Sequence, residues 1–222
     1  MQQLVLELAP PAAPSLENFF PGPNEAAVAA LCDALAGGER VVYLFGEPGS
    51  GKTHLLRAAV REAEAMGRTA LYAGAPHTDL TMRAQRDVLA VDDIEQLDSV
   101  AQLALFDAFN VLRAGKSRLF GAGTQPAAEL PLRDDLRTRL GSGLSLRLAP
   151  LNDEEKAAAL TWHAAQRGLR LAPEIVGYLL THCRRDMGTQ IAVLDALDRH
   201  SLEHKRPVTL PLLREALRTY EQ

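Results

Sequence analysis

Several residue types are scarce in this 222-residue sequence, and each scarcity excludes a class of protein. There are only two cysteines, Cys32 and Cys183, in separate helical patterns. This excludes a disulfide scaffold and a cysteine metal site, and we expect two reduced thiols in the core. The six histidines are scattered. Aromatic residues make up 5% of the chain, so the core is expected to be largely aliphatic.

Positive charge is not in excess either, since the formal net charge is −4 at pH 7. Such a chain is not expected to bind nucleic acid through broad electrostatic attraction. No apolar run approaches the ~20 residues of a membrane span, and no basic segment precedes the first apolar residues as in a secretory signal. We therefore predict a cytoplasmic protein without membrane contact.

The most informative feature is a glycine-rich segment between a predicted strand, 41–45, and a predicted helix. Its backbone N–H groups would surround phosphate oxygens, Lys52 would reach the β- and γ-phosphates, and the Thr53 hydroxyl would hold Mg²⁺. The predicted cofactors are therefore ADP or ATP with Mg²⁺, and His54 is included among the nucleotide-binding residues. The segment matches the pattern G-x-x-x-x-G-K-[ST] with the residues Gly46, Glu47, Pro48, Gly49, Ser50, Gly51, Lys52 and Thr53.

Strands and helices alternate up to Pro150, which predicts a parallel sheet with helices on both faces. In the first helix, Asn24 is expected to be the N-cap. The helix after the third strand is expected to bury a face that includes Leu103, Phe106 and Val111. The predicted strands cover residues 41–45, 69–73, 87–93, 117–124 and 144–148.

Beyond Pro150 the pattern is helical only, and a helical domain after a P-loop sheet suggests a lid. We therefore predict an extended tail over 1–15, an α/β nucleotide-binding domain over 16–150 and a lid over 151–222. The lid helices are expected at about 152–167, 173–183, 188–204 and 209–220.

Polar residues end two predicted strands downstream of the glycine segment. Asp92 is assigned to order Mg²⁺ and Asp93 to orient a water for attack on a γ-phosphate. The alternative is that both acids cap the next helix. Thr124 ends the following strand and could touch the γ-phosphate or the attacking water, or it could simply form a turn before a proline.

Two basic positions complete the predicted site. Arg139, just before the fifth strand, is placed to reach a neighbouring molecule's nucleotide rather than its own, as an arginine finger does. Arg185, with Arg184 as the second choice, sits between two lid helices and could close over the phosphates. The alternative for each is an ordinary solvated charge.

Together these segments resemble the AAA+ ATPases, and within them the replication-initiator clade, over about residues 16–222. The resemblance implies a five-stranded parallel AAA+ sheet followed by a small helical lid. It also implies that Asn18 and Phe19 lie on the adenine side of the nucleotide site. The stretches that carry it are 16–24, the Walker-B strand 89–94, the arginine-finger box 137–143 and the second sensor 185–187.

The two ends narrow the resemblance to the branch of the clade that inactivates the initiator DnaA. The chain stops at 222, where DnaA would continue into a DNA-binding domain, so recognition of origin sequences is not expected. Residues 3–8 resemble the Q-L-x-L-x-L peptide that docks on the sliding clamp, although they could also form an edge strand. The docking residues would be Gln3, Leu4, Leu6 and Leu8.

What this resemblance implies is a protein, normally holding ADP, that docks on the DNA-loaded sliding clamp. It would provoke hydrolysis of ATP bound to DnaA, with Arg139 acting in trans. Its own ATP hydrolysis is expected to be slow or irrelevant, contact with DNA to be indirect through the clamp, and a homo-oligomer to be possible. Two departures from the family pattern are Glu7, where proline is frequent, and Thr124, where aspartate is frequent.

Two rival functions remain open from the sequence. A helicase loader or DNA-remodelling ATPase shares these motifs but should bind single-stranded DNA and assemble on ATP. A pure adaptor with a structural nucleotide should bind its partners equally well with ADP and ATP.

Overall fold

The structure is a computed structural model that describes residues 12–74, 86–115, 117–184, 186–204 and 208–219. Contacts divide the chain into two compact units, and the first is Pro14–Pro150. The second begins at Leu151. Each unit is described by itself.

The first unit is a five-stranded parallel sheet flanked by four described α-helices, which confirms the predicted fold class. The strand order is β2-β3-β4-β1-β5. The elements are α1 (Glu25–Ala36), β1 (Val41–Phe45), α2 (Lys52–Ala65), β2 (Ala70–Gly74), β3 (Val88–Asp92), α3 (Ser99–Ala114), β4 (Arg118–Gly123), α4 (Asp134–Gly141) and β5 (Leu144–Arg147).

Alternation along the strands builds a separate hydrophobic layer on each face of the sheet. Val42 and Leu44 of β1 belong to a buried cluster with residues of α1 and α2. Val41 and Tyr43 belong to a second cluster with residues of α3 and α4. Successive strand side chains point to opposite faces, so β1, an interior strand of the sheet, is covered on both sides.

Asn24 does not cap α1 as the sequence predicted, since its side chain makes no capping hydrogen bond. Its amide instead binds the backbone of Ala149, donating to the carbonyl at 2.9 Å and accepting from the N–H at 2.9 Å. Asn24 is 3% exposed, so these two bonds satisfy polar groups away from solvent. A partner 125 positions away in sequence has replaced the local cap.

Replacing Asn24 by alanine is expected to lower the free energy of unfolding by about 1–3 kcal/mol, because it leaves the Ala149 backbone without both partners. Urea denaturation measures the change. The matched control is Asn110→Ala at an exposed position of α3, which is expected to stay within about 0.5 kcal/mol of wild type. An equal midpoint for Asn24→Ala and wild type would contradict this role.

Two burial predictions were wrong. Leu103 and Val111 of α3 are 48% and 38% exposed, whereas Leu105 and Phe109 are buried. Large apolar residues lie on several sides of this helix, so spacing alone does not select the buried face. Cys32 is exposed rather than in the core, although both cysteines are free thiols.

The second unit contains four described helices, α5 (Asp153–Gln166), α6 (Pro173–His182), α7 (Met187–His204) and α8 (Leu210–Thr219). Asn152 and Glu155 form a capping box that starts α5. Arg167, which follows α5, binds Asp195 of α7 at 2.6 Å. In the part of the chain that the structure describes, no helix is long and apolar enough to cross a membrane. Leucines of all four helices contribute to the core, including Leu160, Leu179, Leu194, Leu197 and Leu212.

Candidate nucleotide-binding site

The glycine segment forms a loop between β1 and α2, and its backbone conformation requires glycine. Gly46, Gly49 and Gly51 have φ values of +155°, +82° and +98°. A Cβ on Gly51 would lie 2.7 Å from Cε2 of Phe19, and a Cβ on Gly46 would collide with the Leu148 carbonyl. The sequence therefore folds here into the open loop of backbone N–H groups that a phosphate needs.

Lys52 is the first residue of α2 and is buried, with 7% of its surface exposed. Its Nζ donates to the carbonyls of Gly46 at 2.7 Å and Glu47 at 3.0 Å. Burial lowers the pKa of the ammonium, and nearby carboxylates, Asp92 first among them, oppose that shift. The ammonium thus lies inside the loop that it would help to hold around a phosphate.

Ser50 has a buried hydroxyl that could bind a phosphate oxygen. Its Oγ is buried and has no hydrogen-bond partner among the described residues. An orphaned buried hydroxyl is costly unless it binds something. Together with the Gly46 to Thr53 loop and the Lys52 ammonium, it fits a nucleotide phosphate.

Asp92 ends β3 with its carboxylate held on both oxygens. The Tyr72 hydroxyl donates to Oδ2 at 2.8 Å, and the Asp93 backbone N–H donates to Oδ1 at 3.1 Å. Asp92 is only 2% exposed. A buried carboxylate in one fixed orientation could help to hold Mg²⁺ through water, and the Thr53 hydroxyl is the other residue that would hold the ion.

Asp93 is the only described non-glycine residue with a left-handed backbone, at φ 49°. Such strain costs about 1–3 kcal/mol and is concentrated at functional sites. Burial raises the pKa of the Asp93 carboxyl, and the neighbouring Asp92 and Glu95 carboxylates raise it further.

Glu95 and Tyr72 are two residues of this edge that the sequence did not reveal. Glu95 Oε1 accepts the Thr124 backbone N–H at 3.1 Å. Its Oε2 is buried without a hydrogen-bond partner in the described structure. Its position three residues after Asp92 is the one sequence feature that could have indicated a place at this edge. The alternation of side chains along a strand could not predict its direction, because Ile94–Gln96 is a 3₁₀ turn.

The sheet brings these groups to one edge. β3, β4 and β1 are neighbours and parallel, so Asp92, Thr124 and the glycine loop all follow carboxyl ends of adjacent strands. The Gly46 N–H donates to the Gly123 carbonyl at 3.3 Å, which joins the loop to the end of β4. Ligands of open α/β sheets bind at this edge.

The entry segment packs against the start of α2. Ser15 and Asn18 exchange two side-chain to backbone hydrogen bonds of 2.8 and 3.1 Å. His54 Nε2 lies 3.1 Å from the Ser15 carbonyl, and its ring lies 5.4 Å from that of Phe19. Burial lowers the pKa of His54. Asn18, Phe19 and His54 are thus neighbours beside the glycine loop, and their role in binding the adenine side of a nucleotide stays a prediction.

Arg139 lies in the last turn of α4 and away from this edge. Its guanidinium stacks 4.0 Å from the Phe106 ring centroid, and Nη1 is buried with no hydrogen-bond partner among the described atoms. α4 runs toward the start of β5, where Gly143 abuts Val41 at the start of β1. The glycine loop follows the opposite end of β1.

The remaining predicted residues divide between described and undescribed parts of the chain. Arg184 is exposed and pairs with Asp186 at 3.2 Å. Asp186 also accepts from the Thr189 N–H at 2.8 Å, so it caps α7. Arg185 and the docking residues Gln3, Leu4, Leu6 and Leu8 lie outside the described residues. Within the described ranges, no group of three or more His, Cys, Asp or Glu residues could hold a metal ion.

The fold and the glycine loop define a AAA+ protein. The structure of "Replication initiator DnaA bound to AMPPCP and single-stranded DNA" matches with a TM-score of 0.71 at 25% identity, over 87% of this chain and 68% of that chain. Domain III of DnaA from Thermotoga maritima matches with a TM-score of 0.74 at 19% identity, over 97% of this chain and 99% of that one. The RuvB Holliday junction branch migration motor from Thermotoga maritima matches with a TM-score of 0.63 at 20% identity, over 89% and 68%. The last two similarities concern the fold alone.

The second unit indicates which kind of AAA+ protein this is. Residues 153–217 match the family model described as "Hda, lid domain". The lid match and the DnaA-like nucleotide-binding unit together support an Hda-like AAA+ protein of the DnaA clade. This confirms the resemblance stated from the sequence.

Proposed function

We propose that this protein binds an adenine nucleotide, docks on the DNA-loaded sliding clamp, and promotes hydrolysis of ATP bound to DnaA, which prevents re-initiation. The observation that supports it most is the Hda-type lid joined to a DnaA-like nucleotide domain. The proposed role is regulatory, so fast hydrolysis by the chain itself is not required.

The nucleotide part of the proposal rests on the fit of the loop. A related DnaA structure holds AMPPCP, and here the loop offers backbone N–H groups, the Lys52 ammonium and the orphaned Ser50 hydroxyl. Thr53 and Asp92 are the residues that would hold Mg²⁺, which would neutralise phosphate charge when bound. Asp93 and Thr124 are proposed to contact the γ-phosphate, and the role given to Arg185 from the sequence stays a prediction.

The proposal that Arg139 acts in trans rests on its place in the sheet. The P-loop follows the carboxyl end of β1, whereas α4 ends beside the amino ends of β1 and β5. A strand of five residues spans about 16 Å, and this separation of Arg139 from its own loop supports the proposal that it acts on a nucleotide held by another molecule. Its half-buried guanidinium stacks on Phe106, and Nη1 has no hydrogen-bond partner among the described atoms.

Clamp docking is proposed for residues 3–8, whose sequence carries leucine at alternate positions, Leu4, Leu6 and Leu8. Replacing Leu6 and Leu8 together by alanine is expected to weaken clamp binding at least tenfold, since each buried leucine contributes about 1.5–3 kcal/mol. Surface plasmon resonance on immobilised clamp measures the affinity.

The matched control changes the alternate positions, Val5 and Glu7, to alanine. These side chains would point away from a groove that receives Leu4, Leu6 and Leu8, because successive side chains of an extended chain alternate. Equal weakening by both double variants would contradict specific docking, and full clamp affinity of the Leu6/Leu8 variant would exclude the peptide.

The alternative function is a helicase loader or DNA-remodelling ATPase. It is favoured by the similarity to a DnaA structure that contains single-stranded DNA. A salt-sensitive affinity for single strands, without clamp binding, would replace the main proposal by this one.

A further inference from the structure

Tyr72 joins the two protein groups that would hold Mg²⁺. It lies on β2, and its hydroxyl donates to Asp92 Oδ2 at 2.8 Å across the β2–β3 pair. The guanidinium carbon of Arg57 lies 4.7 Å from the Tyr72 ring centroid. One side chain therefore contacts both the end of β3 and the helix that begins with the glycine loop.

Arg57 connects this contact to Thr53. The two residues are four positions apart on α2, so they lie on the same side of the helix, one turn from each other. The contacts in this series are the Arg57 guanidinium over the Tyr72 ring and the Tyr72 hydroxyl on Asp92. The helix turn with the metal-binding hydroxyl and the strand end with the carboxylate are thus braced by one cation and one aromatic ring.

The Asp92 carboxylate depends on this brace for its orientation. Its Oδ1 is held by the Asp93 N–H, which belongs to the next residue and follows any rotation of the local backbone. Tyr72 supplies the hydrogen bond from a different strand. Removing that hydroxyl would free the carboxylate to rotate in a pocket where it is 2% exposed.

We propose that Tyr72, with Arg57 over its ring, is a positioning residue that holds Asp92 and the Thr53 turn in the arrangement required by a Mg²⁺-bound nucleotide. Tyr72 then determines how strongly the site prefers Mg²⁺–ADP over free ADP. This proposal rests on the nucleotide binding proposed above, but not on DnaA or clamp binding. Outer-shell partners of metal ligands typically change metal affinity by about 10–100-fold.

The test is the affinity of the full chain for ADP, measured by isothermal titration calorimetry once with Mg²⁺ and once with EDTA. In Tyr72→Phe, the ratio of the two affinities is expected to fall about 10–100-fold, while the affinity in EDTA stays at the wild-type value. A general loss of packing would lower both affinities and leave the ratio unchanged.

Two further variants complete the experiment. Arg57→Gln changes an exposed side chain and is expected to lower the ratio in the same direction by a smaller factor. Tyr43→Phe is the matched control, because it removes another hydroxyl of the sheet, one that donates to the Gln125 carbonyl at 2.7 Å. Its ratio is expected to match wild type.

A folded Tyr72→Phe protein with the wild-type ratio would overturn the proposal. If that variant does not fold, an unchanged ratio in Arg57→Gln overturns it instead. Wild-type binding that does not depend on Mg²⁺ overturns the positioning role but leaves nucleotide binding standing. Absence of ADP binding by the wild-type chain overturns both.

Discussion

Replacing Arg139 by alanine is expected to abolish the stimulation of DnaA-bound ATP hydrolysis while leaving nucleotide and clamp binding intact. An arginine finger contributes about 10³–10⁵ in rate because its charge stabilises the γ-phosphoryl group as it leaves. Arg139 carries a half-buried guanidinium on Phe106, at the opposite end of β1 from its own loop. Conversion of labelled ATP to ADP on DnaA, with DNA-loaded clamp present, measures the loss.

The matched control for this variant is Arg137→Ala. Arg137 lies on the same helix and pairs with Asp134 within that helix, so its removal is expected to leave stimulation near the wild-type level. Arg139→Lys keeps the charge without the planar fork and is expected to retain only a small fraction of the stimulation. Full stimulation by Arg139→Ala would remove the arginine-finger role from this residue.

Replacing Lys52 by alanine is expected to weaken ADP and ATP binding by about 10–150-fold. A hydrogen bond to a charged group contributes about 1.5–3 kcal/mol, and Lys52 would bind phosphate oxygens from a buried position. The variant also removes the two hydrogen bonds that the Nζ donates to the loop carbonyls. Competition with a fluorescent ADP analogue measures the affinity.

The control for Lys52 is Lys156→Ala in α5, an ammonium 4.0 Å from Asp153 and remote in sequence from the loop. It is expected to bind nucleotide as wild type does. The Lys52 variant also distinguishes a nucleotide-dependent regulator from a pure adaptor. If the bound nucleotide controls the affinity for DnaA, the variant should lose stimulation of DnaA yet keep clamp binding. Unimpaired ADP binding by Lys52→Ala would contradict the loop as the nucleotide site.

Much of the fold could be predicted because its signals are local. The apolar run 41–45, the glycine pattern and the alternation of strands with helices each depend on neighbouring residues. Each predicted strand bound agrees with the observed one to within one residue. The adjacency of β3 and β4 followed from the predicted sheet type, and the pairing confirms it.

What could not be predicted depends on distant partners. Asn24 is a residue type that often caps helices, but its side-chain amide hydrogen-bonds the backbone of Ala149 instead. No local sequence pattern predicts a partner so distant in the chain. Tyr72 looks like an ordinary strand residue until β2 pairs with β3 and brings its hydroxyl to Asp92. Glu95 lies in a 3₁₀ turn, and its carboxylate accepts a hydrogen bond from the Thr124 backbone N–H. Each case is decided by topology rather than by residue type.

The central claim is tested most directly by the nucleotide carried by DnaA after incubation with this protein and DNA-loaded clamp. ATP-DnaA is expected to be converted to ADP-DnaA far faster than by DnaA alone, and only when the clamp is present. The same slow conversion with and without this protein, in the presence of its cognate clamp and DnaA, would contradict it.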